Sequence, residues 1–151
     1  MDGLDGRARM PGMKKNTKSF RVFGEVVEVL VSGEETGGSS TTMTQDSPPG
    51  GGPPPHSHLH EDETLFVLEG EYEFLEGGQW LRVEPGQAVH ARRGSVHTFQ
   101  NSGTTMGKML VFVAPSGLEK YLEEISALSM PADMARLVAV SEGYGIAFPT
   151  L

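Results

Sequence analysis

From residue 20 onward the apolar positions come in short bursts, most of them alternating with polar ones. FRVFGEVVEVLVS (20–32) is rich in Val and Phe and reads as strand, divided in two by a kink at Gly24. SSTTMTQ (39–45) carries β-branched residues and suits a short, mostly exposed strand. TLFVLEG (64–70) is an apolar strand stopped by glycine, and EYEFLE (71–76), a Gly-Gly turn and QWLRVE (79–84) form a hairpin. PGQAVHARRG (85–94) holds a short strand, SVHTFQN (95–101) alternates again, and GKMLVFVAP (107–115) is a strongly apolar strand closed by proline. Between them, DSPPGGGPPP (46–55) is loop: proline removes backbone donors and glycine is too permissive for a regular element.

The period then changes. SGLEKYLEEISAL (116–128) spaces Leu118, Tyr121, Leu122, Ile125 and Leu128 as one face of a helix, with Ser116 as its N-cap. SMPADMARLVAVSEGYG (129–145) predicts a second helix, with Ser129 as cap, Pro131 in the first turn and Gly143 as stop. Its inner face is Met134, Leu137, Val138 and Ser141. Eight or more short strands in roughly 95 residues favour a barrel or a double-sheet jelly roll. The expected fold is therefore mainly β, with two C-terminal helices. The expected organisation is a loose N-terminal arm (1–18), a β-barrel domain (19–115) and a helical extension (116–151). The extension must bury its apolar faces across the barrel mouth or against a second subunit.

Charge and composition narrow the function. The formal charge is −8. Residues 1–18 hold Arg7, Arg9, Lys14, Lys15 and Lys18 against Asp2 and Asp5, a net +3, so the remainder carries −11. An acidic body argues against a nucleic-acid partner. No apolar run suits a secretory signal or a membrane span, so a cytoplasmic protein with no membrane partner is expected. The chain has no cysteine, which excludes disulfides, thiol nucleophiles and cysteine-bound zinc. A metal would need His, carboxylate, backbone or water ligands.

That makes PPPHSHLHEDETLFVLEG (53–70) the stretch of interest. On a strand, His56 and His58 project to one face, a spacing that suits two ligands of one ion. Glu63 lies at an odd offset from His58, so it shares that face only if the chain bends or bulges between them. His60, Glu61 and Asp62 are polar enough to form such a bend. Downstream, His97 alternates with Phe99 and Asn101. Three imidazoles and a carboxylate would suit one divalent transition metal, among Mn, Fe, Co, Ni, Cu and Zn, with coordination positions left for substrate.

These residues resemble the two signature motifs of the cupin superfamily. The first motif corresponds to Gly50, His56, His58, Glu63 and Gly70, and the second to Gly86, Gly94, His97 and Asn101, with Arg92 where the family usually has proline. The stretch from Pro53 to Phe74 looks most like small bacterial proteins related to quercetin dioxygenase. The resemblance implies a jelly-roll barrel (double-stranded β-helix) holding one metal on His56, His58, Glu63 and His97, and it implies a homodimer. It suggests a metal-dependent oxygenase for a small enolic or aromatic hydroxyl substrate, with Glu63 as catalytic base. A metal-dependent isomerase, lyase or cyclase and a non-catalytic small-molecule binder are the alternatives. Phe66, Tyr72, Phe74, Trp80, Phe99, Met109 and Phe112 are expected to fill the barrel. Phe99, His60, His90 and Phe66 are the expected pocket residues beyond the ligands.

Overall fold

A computed structural model describes residues 17–151; most of the expected arm, 1–16, lies outside the described residues. The chain runs β1 (Lys18–Val22), β2 (Glu25–Val31), β3 (Thr41–Ser47), β4 (Ser57–His58), β5 (Asp62–Glu69), β6 (Tyr72–Glu76), β7 (Gln79–Val83), β8 (Ala88–Ala91), β9 (His97–Asn101) and β10 (Gly107–Ala114). Helices α1 (Leu118–Ile125) and α2 (Met134–Gly143) follow, then a two-residue strand, β11 (Ile146–Ala147). Every pairing is antiparallel. One sheet has the order β1-β2-β3-β10-β5-β8, a second β7-β6-β9, and β11 pairs with β4. This is the expected jelly-roll architecture with two C-terminal helices.

The alternation sorts the side chains. Glu63, Leu65 and Val67 of β5 are buried, as are Met109, Val111 and Val113 of β10 and Tyr72 and Phe74 of β6. The aromatics of opposite parity point outward. Phe112 is 43% exposed, Trp80 48% exposed, and Phe66 only half-buried. These three do not fill the barrel, because burying them would turn Val111, Leu65 and their neighbours to solvent.

Two segments differ from expectation. SSTTMTQ is not an exposed strand: β3 extends to Ser47, sits between β2 and β10, and buries Thr41, Met43 and Ser47. The helices start where their apolar faces begin, but not at the expected caps. Gly117, at φ 128°, is the N-cap of α1, a backbone conformation suited to glycine. Ser116 is instead held beneath the β2–β3 turn, its N–H donating to the Gly38 carbonyl at 3.1 Å. The residue anchoring α1 is Glu119, whose carboxylate accepts from Gly33 N–H (2.9 Å), Thr41 Oγ1 (2.6 Å) and Gly117 N–H (3.1 Å). Asp133, not Ser129, caps α2, and it accepts the Ser129 N–H at 2.8 Å. Pro131 precedes the helix.

The apolar face of α1 turns onto the barrel mouth, and α2 packs against α1 and β11. Leu118, Tyr121 and Ile125 of α1 and Leu137 of α2 are buried, and Tyr121 Oη lies 2.7 Å from Ser141 Oγ across the two helices. Among the described residues, no helix is long and apolar enough to cross a membrane.

Candidate metal centre

The chain leaves the Pro/Gly loop as an extended segment. His56 pairs with His97: its N–H donates to the His97 carbonyl at 3.0 Å, and the reverse bond is 2.8 Å. Two residues on, His58 projects beside it, as strand parity requires. The chain then bends at Leu59–His60 and re-enters the large sheet as β5. This bend brings Glu63 to the face of His56 and His58 despite the odd offset. His97 comes from the smaller sheet, at the first position of β9. The four side chains thus join both sheets and the short segment between them.

One donor atom from each of His56, His58, Glu63 and His97 lies within 4.8 Å of the other three. The imidazole centroids are 4.6 to 5.5 Å apart. His56 Nδ1 lies 2.9 Å from the Pro54 carbonyl and His97 Nδ1 3.1 Å from that of Ser95, contacts that place the proton on Nδ1 and leave Nε2 to bind. Glu63 reaches His58 Nε2 through Oε1 (3.3 Å) and His97 Nε2 through Oε2 (3.2 Å). Neither nitrogen of His58 makes a well-formed hydrogen bond, although both are buried. Three imidazole nitrogens and a carboxylate converging without other well-formed partners are the donor set of a first-row divalent cation, and the residues fit one.

The electrostatics agree. Burial and the neighbouring imidazoles of His97 and His58 push His56 down to about 3, which keeps it neutral and able to coordinate. Burial opposes charge on Glu63, but the facing imidazoles of His58, His97 and His56 outweigh it, pushing the carboxyl down to about 2. Burial also opposes charge on His58, and here the Glu63 carboxylate and Glu61 prevail, so its pKa is raised. Both Glu63 oxygens face imidazoles. The carboxyl is thus held in its anionic form.

A partly open cavity of about 60 Å³ adjoins the four residues. Phe99 and Leu65 line its barrel side; Leu118, Leu122, Ile146 and Phe148 line the side supplied by the C-terminal segment. The ring of Phe148 lies 5.9 Å from that of His56 and 6.2 Å from that of Phe23. Phe23 occupies the β1–β2 turn at φ 52°, a backbone conformation uncommon outside glycine, and this turns its ring into the mouth. Of the expected pocket residues, Phe99 alone reaches this lining. His60 and His90 are exposed, with His90 Nδ1 lying 3.2 Å from Thr64 Oγ1, and Phe66 faces away from Glu63.

The bend is not made only of solvated polar residues. Glu61 is buried, and its Oε2 lies 3.5 Å from His58 Nδ1, on the side away from Glu63. Asp62 opens β5 and holds the second-motif loop: its Oδ1 accepts the Arg93 N–H at 2.8 Å and its Oδ2 lies 3.1 Å from Arg93 Nη2. Arg92, which replaces the usual proline, is exposed, and the following turn is closed by Gly94, at φ 83°, whose N–H donates to the His58 carbonyl at 2.7 Å.

Four contributors to the site were not singled out from the sequence: Glu61, Gln45, Ile146 and Phe148. Inward parity with Met43 marks Gln45 as a polar residue aimed at the interior. Glu61 is hidden within a charged run, and the strand of Ile146 is too short to alternate.

The profile of the family described as Cupin domain matches residues 43–113. A comparison with curated proteins finds no match. Among solved structures, the chain is similar to a predicted oxalate decarboxylase from Thermotoga maritima, at 24% identity and TM-score 0.58 over 66% of this chain and 91% of that one. It is similar to the polyketide cyclase RemF from Streptomyces resistomycificus, at 21% identity and TM-score 0.61 over 72% and 81%. It also resembles an oxalate oxidase, at 26% identity and TM-score 0.53 over 63% of this chain and 54% of that one.

Proposed function

With residues 43–113 forming a cupin domain that carries a His/His/Glu/His group able to bind a metal ion, we propose that the protein is a metal-dependent enzyme for a small enolic or hydroxy-carbonyl substrate, and that its reaction is an oxygenation. The observation that carries this reading is the meeting of the four donor atoms with a largely apolar cavity. His56, His58, Glu63 and His97 would hold the ion. When bound, it supplies Lewis acidity toward a substrate oxygen and open positions for substrate and O2.

The protein's own residues do the rest. Glu63 contributes a negative charge that offsets the cation. His56 stays neutral in its desolvated setting, and the carbonyls of Pro54 and Ser95 fix the ring orientations of His56 and His97. Phe99, Leu122, Ile146 and Phe148 exclude water and confine the substrate.

Size selects among substrates. At about 60 Å³ the cavity is far below the roughly 300–1,000 Å³ of a site for a drug-sized molecule. A cavity of this size favours a short diketone or hydroxy acid over a three-ring flavonol. A smaller substrate of the same enolic chemistry is therefore preferred to a quercetin-like one.

The test is O2 uptake by metal-loaded protein with acetylacetone and other short diketones or α-hydroxyketones. Substrate-dependent uptake that is lost in His58→Ala supports the reading. Product formation at an equal rate under strict anaerobiosis would replace oxygenation by isomerisation, cyclisation or lyase chemistry at the same centre.

A further inference from the structure

The cavity has a second polar feature, contributed by β3 rather than by the histidine segment. Apart from the ligand set, its polar side chains are Gln45 and Tyr121. The Tyr121 hydroxyl is committed to Ser141 Oγ at 2.7 Å. Gln45 donates Nε2–H to Glu25 Oε2. With the nitrogen so engaged, the carbonyl oxygen Oε1 is left with no protein donor among the described residues.

Glu25 is the fixed end of this pair. It is fully buried at the first position of β2, where strand parity points it into the barrel beside Ser47 and Tyr72. Glu25 Oε1, Ser47 Oγ and Tyr72 Oη are buried without a well-formed hydrogen bond. Gln45 Nε2–H is thus the hydrogen bond that Glu25 does make. A buried carboxyl bound to an amide N–H holds that amide in one orientation, because breaking the pair would strand both groups.

We propose that Gln45 Oε1, held by Glu25, is a hydrogen-bond acceptor for the ligand of the metal cavity. The ligand would then be a short molecule with a metal-binding oxygen at one end and a hydroxyl or N–H donor at the other, joined by an apolar stem. The apolar stem meets Met43, Leu65, Phe99 and Val111, which line the same cavity. Gln45 would touch the ligand and set specificity; Glu25 is a positioning residue that acts through Gln45. This inference rests on the reading of the cavity as the ligand site.

The experiment is calorimetric binding to zinc-loaded protein of two probe pairs, 3-hydroxypropionate against propionate and 4-hydroxybutyrate against butyrate. The expected result is a preference of about five- to tenfold for the hydroxylated member of at least one pair, the size of one hydrogen bond to a desolvated acceptor. Gln45→Leu and Gln45→Met should erase the preference, read as the ratio of affinities within each pair on protein that still holds zinc. Glu25→Leu should erase it as well, whereas Glu25→Gln, whose amide oxygen can still accept from Gln45, should retain it. Equal binding within both pairs, or a preference that survives in both Gln45 variants, overturns the proposal. If the plain acids fail to bind to protein that holds zinc, the cavity is not the ligand site and the proposal falls with that reading. If zinc itself does not bind, the metal assignment is what has failed, and it takes the proposal with it.

Discussion

The backbone of Ile146 pairs with that of His58. The last strand of the chain is thus hydrogen-bonded to the segment that carries two of the four candidate metal ligands, and the Leu59 N–H adds a bond to the Gly145 carbonyl at 2.8 Å. The C-terminal extension is part of the site: it braces the histidine segment with β11 and roofs the cavity with Phe148.

Removing residues 146–151 should therefore weaken metal binding without unfolding the barrel, by about tenfold, the lower end of what losing a ligand-orienting contact costs. Phe148→Ala, which keeps β11, should preserve metal affinity and open the cavity to solvent. Zinc affinity by competition with a chelator, alongside thermal unfolding, separates the two effects. Full affinity in the truncated chain would show that β11 does not brace His58.

Glu61 should matter although it binds no metal. Its carboxylate faces His58 Nδ1 and steers Nε2 toward the site. Glu61→Ala should lower metal affinity by about 10- to 100-fold, and Glu61→Gln, which can still accept the Nδ1 proton, by less. Equal losses in the two variants would point to packing rather than orientation.

Glu25 should leave a signature in the pH dependence of stability. Burial pushes its carboxyl up from the ordinary 4.5 to about 7, against the lowering influence of Ser47 and Gln45. Between these values the folded protein keeps a proton that the unfolded chain releases. Stability falls as pH rises from about 4.5 to about 7 and changes no further above that, a loss of up to about 3 kcal/mol from this group. Glu25→Gln cannot ionise and should lack this component. Urea unfolding of both proteins at pH 5 and pH 8 should show the variant gaining relative to wild type at the higher pH; a constant difference would contradict the assignment.

How far these features were legible in the sequence depends on how much chain each one uses. Alternation over five to eight residues marks β2, β5, β6 and β10, because a one-residue slip would turn a whole face to water. The same rule applied to Phe66 places it opposite Glu63, since it lies an odd three positions further on; grouping it with the cavity followed its chemistry instead of its parity. Phe112 and Trp80 point outward for the same reason. The ligand set was legible because His56 and His58 share a face and the bend at 59–60 supplies the parity change that Glu63 needs. The roof was not, since Ile146–Ala147 is too short to show a period and its partner is distant in sequence. Glu61 was read only as part of the polar bend, because three acids stand together and only the fold distinguishes which of them the bend turns toward His58.

The central claim is that His56, His58, Glu63 and His97 hold a single cation and that the neighbouring histidines do not. The most direct measurement is the metal content, by elemental analysis, of protein purified without added metal and then titrated with zinc, in wild type and four single variants. Wild type, His60→Ala and His90→Ala should each hold one equivalent per chain, while His58→Ala and His97→Ala should lose high-affinity binding and remain folded by circular dichroism. Full occupancy in folded His97→Ala, or its loss in folded His60→Ala, would contradict the assignment.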